Sequence, residues 1–433
     1  MTNLIRTMIS FVPRTLYYSN EYRKVLKLLN CGYTDELLDE LLCRQLTNAL
    51  KHVPFYRNNV KMNPLEINKD NAKSALKEFP VITKDVIMNN IDSFLCDNIN
   101  IKHAQIHKRT SGGSTGQGIT VYRTLKELMI EQAFYDYKWG PYGFGTSAKI
   151  VRIGVNGIKK EEEYPVTIKG HKMLLSPYHF NERWISTILK EIQSFKPKIF
   201  HAYPSSFEYL AHYMDLNKHQ ITDVKAVLLA SEAVSPSLVK LINNVFPCVP
   251  VLFSYGLTER TNLAWGRLEG DEVVYDIEPL YGYTENIENE MGFHEIVGTS
   301  YWNLAMPFIR YQTEDIGEVN GMVIRGLDGR AHEFLVTKTG GTIPGFSVII
   351  DKFVWQYVES FQIVQNEPGL IEIQIKPREN FTEEIKEHIC EKQRERWGQY
   401  FDISIVLVEK VNKTRSGKQR LIINNIKKER TNI

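Results

Sequence analysis

The sequence predicts an α/β protein: a large N-terminal domain with a mainly parallel sheet covered by helices, then a small α+β domain. Three observations carry that expectation. In the middle of the chain, the short apolar runs KIFHAYP (198–204), VKAVLLASEA (224–233) and VPVLFSYG (249–256) alternate with helical stretches around 207–217 and 238–245. Parallel strands need long crossover connections, and helices of this length supply them. Beyond about residue 330 the rhythm changes to period-two strands flanking one amphipathic helix. Finally, 433 residues that are 43% hydrophobic make enough core for more than one domain.

The elements follow in order. Residues 21–60 read as helical, with Val25, Leu28, Leu29, Leu37, Leu38, Leu41 and Leu42 at three- and four-residue spacings, and Pro54 in HVPFYRN is expected to stop the helix. The central βαβαβ run follows. In the last hundred residues, LIEIQIK alternates from Ile371 to Ile375. FTEEIKEHICEKQRERW places Phe381, Ile385, Ile389 and Trp397 on one helical face, and FDISIVLV alternates again. The ending KKERTNI reads as a frayed basic tail.

Composition narrows the function. With 53 Lys plus Arg against 51 Asp plus Glu, the chain has no electrostatic footprint for nucleic acid, so an anion must be bound locally. Five dispersed cysteines form no CxxC or Cys/His pair, which argues against zinc and a disulfide framework and fits a reducing cytoplasm. The first residues, MTNLIRTMISFVPRTLYY, are broken by Arg6 and Arg14 and lack a cleavage signal; they leave weak membrane-surface contact open. No transmembrane segment is expected, and nothing in the sequence sets an oligomeric state.

Four stretches carry chemistry. RTSGGSTGQGIT (109–120) lacks the lysine of a Walker A loop and is not GxGxxG. It remains a Ser/Thr/Gly loop whose backbone N–H groups and hydroxyls suit an oligophosphate, or else a plain hairpin connection. SYGLTER (254–260) ends a sheet strand, where open α/β sheets collect ligand residues. There Tyr255 offers a face to a base, Thr258 a hydroxyl, and Glu259 a carboxylate for a divalent metal. Asp315 in RYQTEDIG suits ribose hydroxyls. Lys418 in NKTRSGKQR follows a flexible Ser–Gly pair, although alone that segment reads as a solvated basic tail.

In order and spacing these stretches resemble the adenylate-forming superfamily of acyl-CoA synthetases, luciferases and nonribosomal adenylation domains, and within it the phenylacetate–CoA ligase and CapK-like branch. The narrower resemblance rests on NALKHVPFYRNN (48–59), FPVITKDVIMNN (79–90), RTSGGSTGQG (109–118), LLASEAVSP (228–236), SYGLTER, MPFIRYQTEDIG (306–317), GLDGRAHEFL (326–335) and KTRSGK (413–418), across nearly the whole chain. It implies that a carboxylate attacks the α-phosphate of ATP, releasing pyrophosphate and forming an acyl-adenylate. It also implies an adenylation domain over 1–329 and a small mobile domain over 330–433.

Carried over residue by residue, the resemblance gives Thr110, Ser111, Gly112, Gly113, Ser114, Thr115 and Gly116 the β- and γ-phosphates. Ser231, Glu232 and Tyr255 fall beside adenine, Thr258 near the α-phosphate, Glu259 at Mg²⁺ and Asp315 at the ribose. Arg330 matches the interdomain arginine and Lys418 the mobile-domain lysine that bridges the reacting carboxylate and the nucleotide. No general base is required, because a carboxylate is already a nucleophile at neutral pH. His201, Tyr203 and Pro204 are expected to border the acid pocket, with His201 a pocket residue rather than a base.

Three departures from the pattern stand out: Glu314 where the family usually has Gly, Glu333 where Asp is usual, and an irregular TKTGGTIPG (337–345). The partners implied are a small carboxylic acid and an acyl acceptor. CoA is slightly favoured as acceptor; an amine or hydroxyl in surface or capsular polysaccharide synthesis is the alternative, with AMP transfer third. A non-catalytic nucleotide-binding scaffold is the reading from another class, and retention of both Glu259 and Lys418 argues against it.

Overall fold

The computed structural model describes residues 12–100, 106–110, 119–154, 157, 159–160, 162–288, 292–327, 334–344, 354, 356–413 and 420–426. The N-terminal region is helical, as the periodicity predicts, with Asn20–Cys31 capped by Ser19 and Asp35–His52 capped by Thr34. Pro54 does more than stop a helix. It occupies the first turn of a new one, Pro54–Asn59, where its missing N–H has no intrahelical partner to lose.

Strands β1 (Ile106–Thr110) and β2 (Thr120–Thr124) pair antiparallel from Ile106 opposite Thr124 to Thr110 opposite Thr120. The two ends of the glycine-rich segment are therefore side by side; residues 111–118 lie outside the described residues. β2 leads straight into the helix Leu125–Trp139, fixed by a capping box between Thr124 and Glu127.

The main sheet uses β3 (Ile150–Ile153), β4 (Val166–Lys169), β5 (Lys172–Leu175), β6 (Ile199–Ala202), β7 (Ala226–Ala230), β8 (Val251–Gly256), β9 (Leu263–Glu269) and β10 (Glu272–Ile277). Its centre, in the order β5–β3–β6–β7–β8, is parallel. The helices Glu182–Phe195, Pro204–Leu216 and Pro236–Val245 are the crossovers the βαβαβ pattern calls for. Antiparallel strands extend both sides of this centre: β4 beyond β5, and β9 and β10 beyond β8.

The chain then forms a separate three-stranded sheet of β11 (Gly282–Glu288), β12 (His294–Ser300) and β13 (Tyr311–Ile316). It returns to the edge of the main sheet with β14 (Glu318–Asn320) and β15 (Val323–Arg325). Each face of the main sheet buries its own apolar cluster. Ile150, Ile199 and Leu228 face the N-terminal helices and Leu125–Trp139, while Val151, Phe200, Val227 and Phe253 face the three crossover helices. That alternation is the period of two expected of strands.

Beyond the short pair β16 (Phe334–Val336) and β17 (Thr342–Pro344), a four-stranded sheet is ordered β20–β19–β18–β21. It consists of β18 (Val358–Glu367), β19 (Leu370–Pro377), β20 (Asp402–Leu407) and β21 (Ile422–Asn424). The helix Glu383–Trp397 covers it, with Ile389 buried and Phe381, Ile385 and Trp397 packed against a third apolar cluster. This is the α+β region read from the sequence, and its core is separate from the other two.

Candidate active site

The carboxyl ends of β7 and β8 and the strand β13 converge on one region. Tyr255, near the end of β8, donates its hydroxyl to Asp315 Oδ2 at 2.8 Å, joining two motifs that lie far apart in sequence. Asp315 is buried, and its backbone N–H is held by Thr313 Oγ1 at 3.1 Å. Two residues beyond β8, Thr258 precedes Glu259, a carboxylate that is only 6% exposed.

On the other side of β7, Glu232 Oε2 accepts the backbone N–H of Ser205 at 2.9 Å. A carboxylate therefore sits at the N-terminus of Pro204–Leu216, the favourable end of its dipole, which brings Glu232 beside Tyr203 and Pro204. Glu208, one turn further along that helix, is pushed up to about 7 by burial first and by the Glu232 charge second. Sequence reading gave Glu208 no role.

Three acids of the site have a left-handed neighbour. Ser231 (φ 78°) precedes Glu232, Arg260 (φ 59°) follows Glu259, and Glu314 (φ 64°) precedes Asp315. Left-handed backbone costs L-residues about 1–2 kcal/mol each, and such strain concentrates at functional sites. At 314 it also explains the departure seen in the sequence: a position that asks for glycine carries glutamate.

Under Glu259 lies an ionic network that the sequence did not reveal. Arg260 pairs with Glu131 and donates to the Glu127 carbonyl at 3.2 Å. Glu131 also accepts the Tyr281 hydroxyl at 3.2 Å. Glu127 receives the backbone N–H groups of Thr124, Leu304 and Ala305 at 2.6, 2.7 and 3.0 Å, although burial still pushes its carboxyl up. Burial, then the nearby Arg123, lowers Arg260 to about 9. Arg123, on β2, is buried and also lowered, mainly by burial, with Glu259 among the charges acting on it. The network ties the strand leaving the glycine-rich segment to the strand end that carries Glu259.

His201, on β6, meets the rings of Trp139 and Phe144 edge-on at 5.5 and 6.4 Å. Burial, then the charges of Arg152 and Lys172, drives its imidazole well below the ordinary range, so it is neutral at pH 7 and unsuited to a cationic role. Thr110 ends β1 in an exposed position. Ser111, Gly112, Gly113, Ser114, Thr115, Gly116, Arg330 and Lys418, together with Glu333, lie outside the described residues.

Among the described residues, no group of three or more His, Cys, Asp or Glu is placed to hold a metal by itself. One buried carboxylate at Glu259 fits Mg²⁺, which keeps several waters and is usually held by one or two carboxylates plus substrate phosphates. Two cations of the C-terminal region, among the described residues, contact this half of the molecule. Arg378 reaches Glu182 at 3.2 Å and lies over the Tyr209 ring at 5.3 Å. Lys413 donates to the Pro177 carbonyl at 2.9 Å and lies over the Tyr178 ring at 5.6 Å. Among the described residues, no helix is long and apolar enough to cross a membrane.

Comparison with known proteins places the fold. Residues 161–282 match the AMP-binding enzyme family, and residues 335–425 match the CapK C-terminal domain. The chain is 23% identical to Protein CapK of Staphylococcus aureus, over 95% of this chain and 94% of that protein. Its fold is similar to that of 2-hydroxyisobutyryl-CoA ligase in the postadenylation state in complex with R3-HIB-AMP. That likeness has a TM-score of 0.65 at 14% identity and covers 90% of each chain. A McyG A-PCP structure complexed with phenylalanyl-adenylate matches at a TM-score of 0.52 and 16% identity, covering 72% of this chain and 64% of that one. The central part of the chain is thus similar to AMP-binding enzymes, and its fold is shared with these ligase and adenylation structures. The C-terminal part matches the CapK C-terminal domain, and the chain is similar to CapK along its length.

Proposed function

We propose that the protein activates a carboxylic acid with ATP, releasing pyrophosphate and forming an acyl-adenylate, and then passes the acyl group to an acceptor, with CoA slightly favoured. The observation that carries this reading is the convergence of Tyr255, Glu259 and Asp315 at the strand ends. Asp315 is oriented by Tyr255 to accept ribose hydroxyls, and the Tyr255 ring is left to lie along a base. Glu259 would hold Mg²⁺, whose charge screens the repulsion between two anionic reactants. Thr258 approaches the α-phosphate.

The glycine-rich segment from Thr110 to Gly116 wraps the β- and γ-phosphates, Ser231 and Glu232 lie beside adenine, and His201, Tyr203 and Pro204 border the acid. Residues 330–433 act as the mobile domain, turning at Arg330 and delivering Lys418 to the reacting carboxylate. The alternative acceptor is an amine or hydroxyl, as surface polysaccharide synthesis would supply.

Pyrophosphate release measured across a panel of carboxylates, with and without CoA, tests the proposal. Release that depends on a carboxylate, and an acyl-CoA product when CoA is added, is the expected outcome. ATP turnover without carboxylate dependence overturns it. Adenylate formed with no thioester product moves the acceptor to an amine or hydroxyl.

A further inference from the structure

The face of the main sheet that packs on Leu125–Trp139 holds a cation, Arg152, with no acid paired to it among the described residues. Arg152 projects from β3 on the same face as Ile150, since its neighbours Val151 and Ile153 belong to the cluster on the opposite face. In the parallel register it stands directly beside His201 of β6, with Leu228 of β7 next in the row.

The groups around Arg152 are phenols and cations. Tyr203 and Tyr135 are the partners that favour its charge, while burial opposes it. Lys172 of β5 adds a second cation nearby, and its own electrostatic neighbours are Arg152 and Arg14. Arg14 is itself committed to Asp136. Among the described residues, no carboxylate pairs with either Arg152 or Lys172. Arg152 is half-buried, so its guanidinium is neither neutralised by an acid among the described residues nor closed off from a ligand.

Small residues continue this row. Gly154, Ala230, Ser254 and Gly256 continue the same face of β3, β7 and β8 toward the site. A Cβ on Gly154 would lie 3.3 Å from Tyr203 Cζ, and one on Gly256 would lie 4.0 Å from the Tyr135 hydroxyl. Tyr135 is hydrogen-bonded to the Ser254 side chain, so it spans from the Arg152 neighbourhood to the strand that carries Tyr255, Thr258 and Glu259. Trp139 and Phe144 close the side next to His201.

We infer that Arg152 is a specificity-determining residue, and that the acid activated here carries a second carboxylate at the end remote from the one that reacts. This inference rests on the adenylation reading above. The planar fork of arginine matches a carboxylate in two parallel hydrogen bonds. Arg152 lies one or two residues short of the strand ends, so the group it binds is the distal one, while the reacting carboxylate is left at the mouth near Thr258. The aromatic rings between them suit the body of the acid. His201, directly beside Arg152 in the register, offers a ring nitrogen as a further donor to the same carboxylate.

The test is titration calorimetry, with AMP present, of the dicarboxylates from succinate to suberate and of isophthalate, each against its monoamide. The wild-type protein should bind at least one diacid roughly tenfold or more tightly than its monoamide, the scale of hydrogen bonds to a charged group. Arg152→Gln should bring that ratio close to one, and Arg152→Lys, which keeps the charge and loses the fork, should retain part of it. Circular dichroism checks that both variants are folded. A wild-type protein without preference for any diacid overturns the inference, as does an unchanged ratio in folded Arg152→Gln. Carboxylate-dependent pyrophosphate exchange, run in parallel, separates the two readings. Diacid preference in binding with no exchange for any acid removes the adenylation reading and leaves Arg152 assigned. Exchange that is equal for diacids and monoamides removes the Arg152 assignment and leaves adenylation standing.

Discussion

On the large lobe, Glu259 is followed by Arg260, which is locked to Glu131 in the interior, and Asp315 is held by the Tyr255 hydroxyl. On the small lobe, Lys413 lies five positions before Lys418 in the sequence, and among the described residues the side chains of Lys413 and Arg378 contact the large lobe. The first set is anchored by buried backbone and ion pairs; the second is fastened by two cations lying over aromatic rings. Groups that must hold a nucleotide through two successive reactions gain from a fixed frame. A cation needed for only one of them can ride on a lobe that is lightly held and able to turn.

The largest effect expected from breaking this contrast is on the rigid side. Arg260→Met leaves the half-buried Glu131 with only the Tyr281 hydroxyl of this network, and stability should fall by about 2 kcal/mol, read from denaturant midpoints. The double variant Arg260→Met with Glu131→Leu should recover much of that loss, because no uncompensated charge remains. A single variant as stable as wild type would show that the network does not hold the strand end.

Next is a pH effect at Glu208. Its folded value is raised to about 7 from an ordinary 4.5, so between those values the native state keeps a proton that the unfolded chain has shed. The associated stability is full below the ordinary value and is lost as pH rises through about 7. Glu208→Gln should flatten that decline, and melting curves from pH 5 to 8 for the two proteins will show whether the slopes differ. A smaller gain is expected at the strained position: Glu314→Gly should stabilise the fold by about 0.5–1 kcal/mol by relieving left-handed backbone.

Much of this contrast was legible in the sequence. The βαβαβ centre, the small α+β region and the positions of Tyr255, Glu259 and Asp315 follow from local periodicity and from motifs at strand ends. The antiparallel extension of the main sheet was not legible, because no short pattern states which strand pairs with which. For the same reason the Arg260–Glu131 pair and the Arg152–His201 register escaped notice, since they join residues 129 and 49 positions apart in the chain. Pro54 shows a subtler limit: a residue that ends one helix also begins the next. The left-handed conformation at Glu314 could be suspected only from the glycine expected there.

The smallest effect belongs to the lightly held side. Arg378→Ala should cost at most about 1 kcal/mol of global stability, since Glu182 is 39% exposed and Arg378 is its only charged partner across the lobes among the described residues. It should nonetheless change the balance between the two half-reactions, measured as the ratio of adenylate formation to acyl transfer. An unchanged ratio would mean that this contact does not govern the lobe.

The most direct test of the account is a pair of half-reaction rates for Lys418→Ala. Adenylate formation, followed as carboxylate-dependent exchange of pyrophosphate into ATP, should fall by roughly a hundredfold or more, the scale of removing one preorganised charge-stabilising donor. Supplied with a preformed acyl-adenylate, the same variant should transfer the acyl group at close to the wild-type rate. Equal losses in both half-reactions, or no loss in either, would contradict the claim that one fixed half-site is served by a cation that comes and goes.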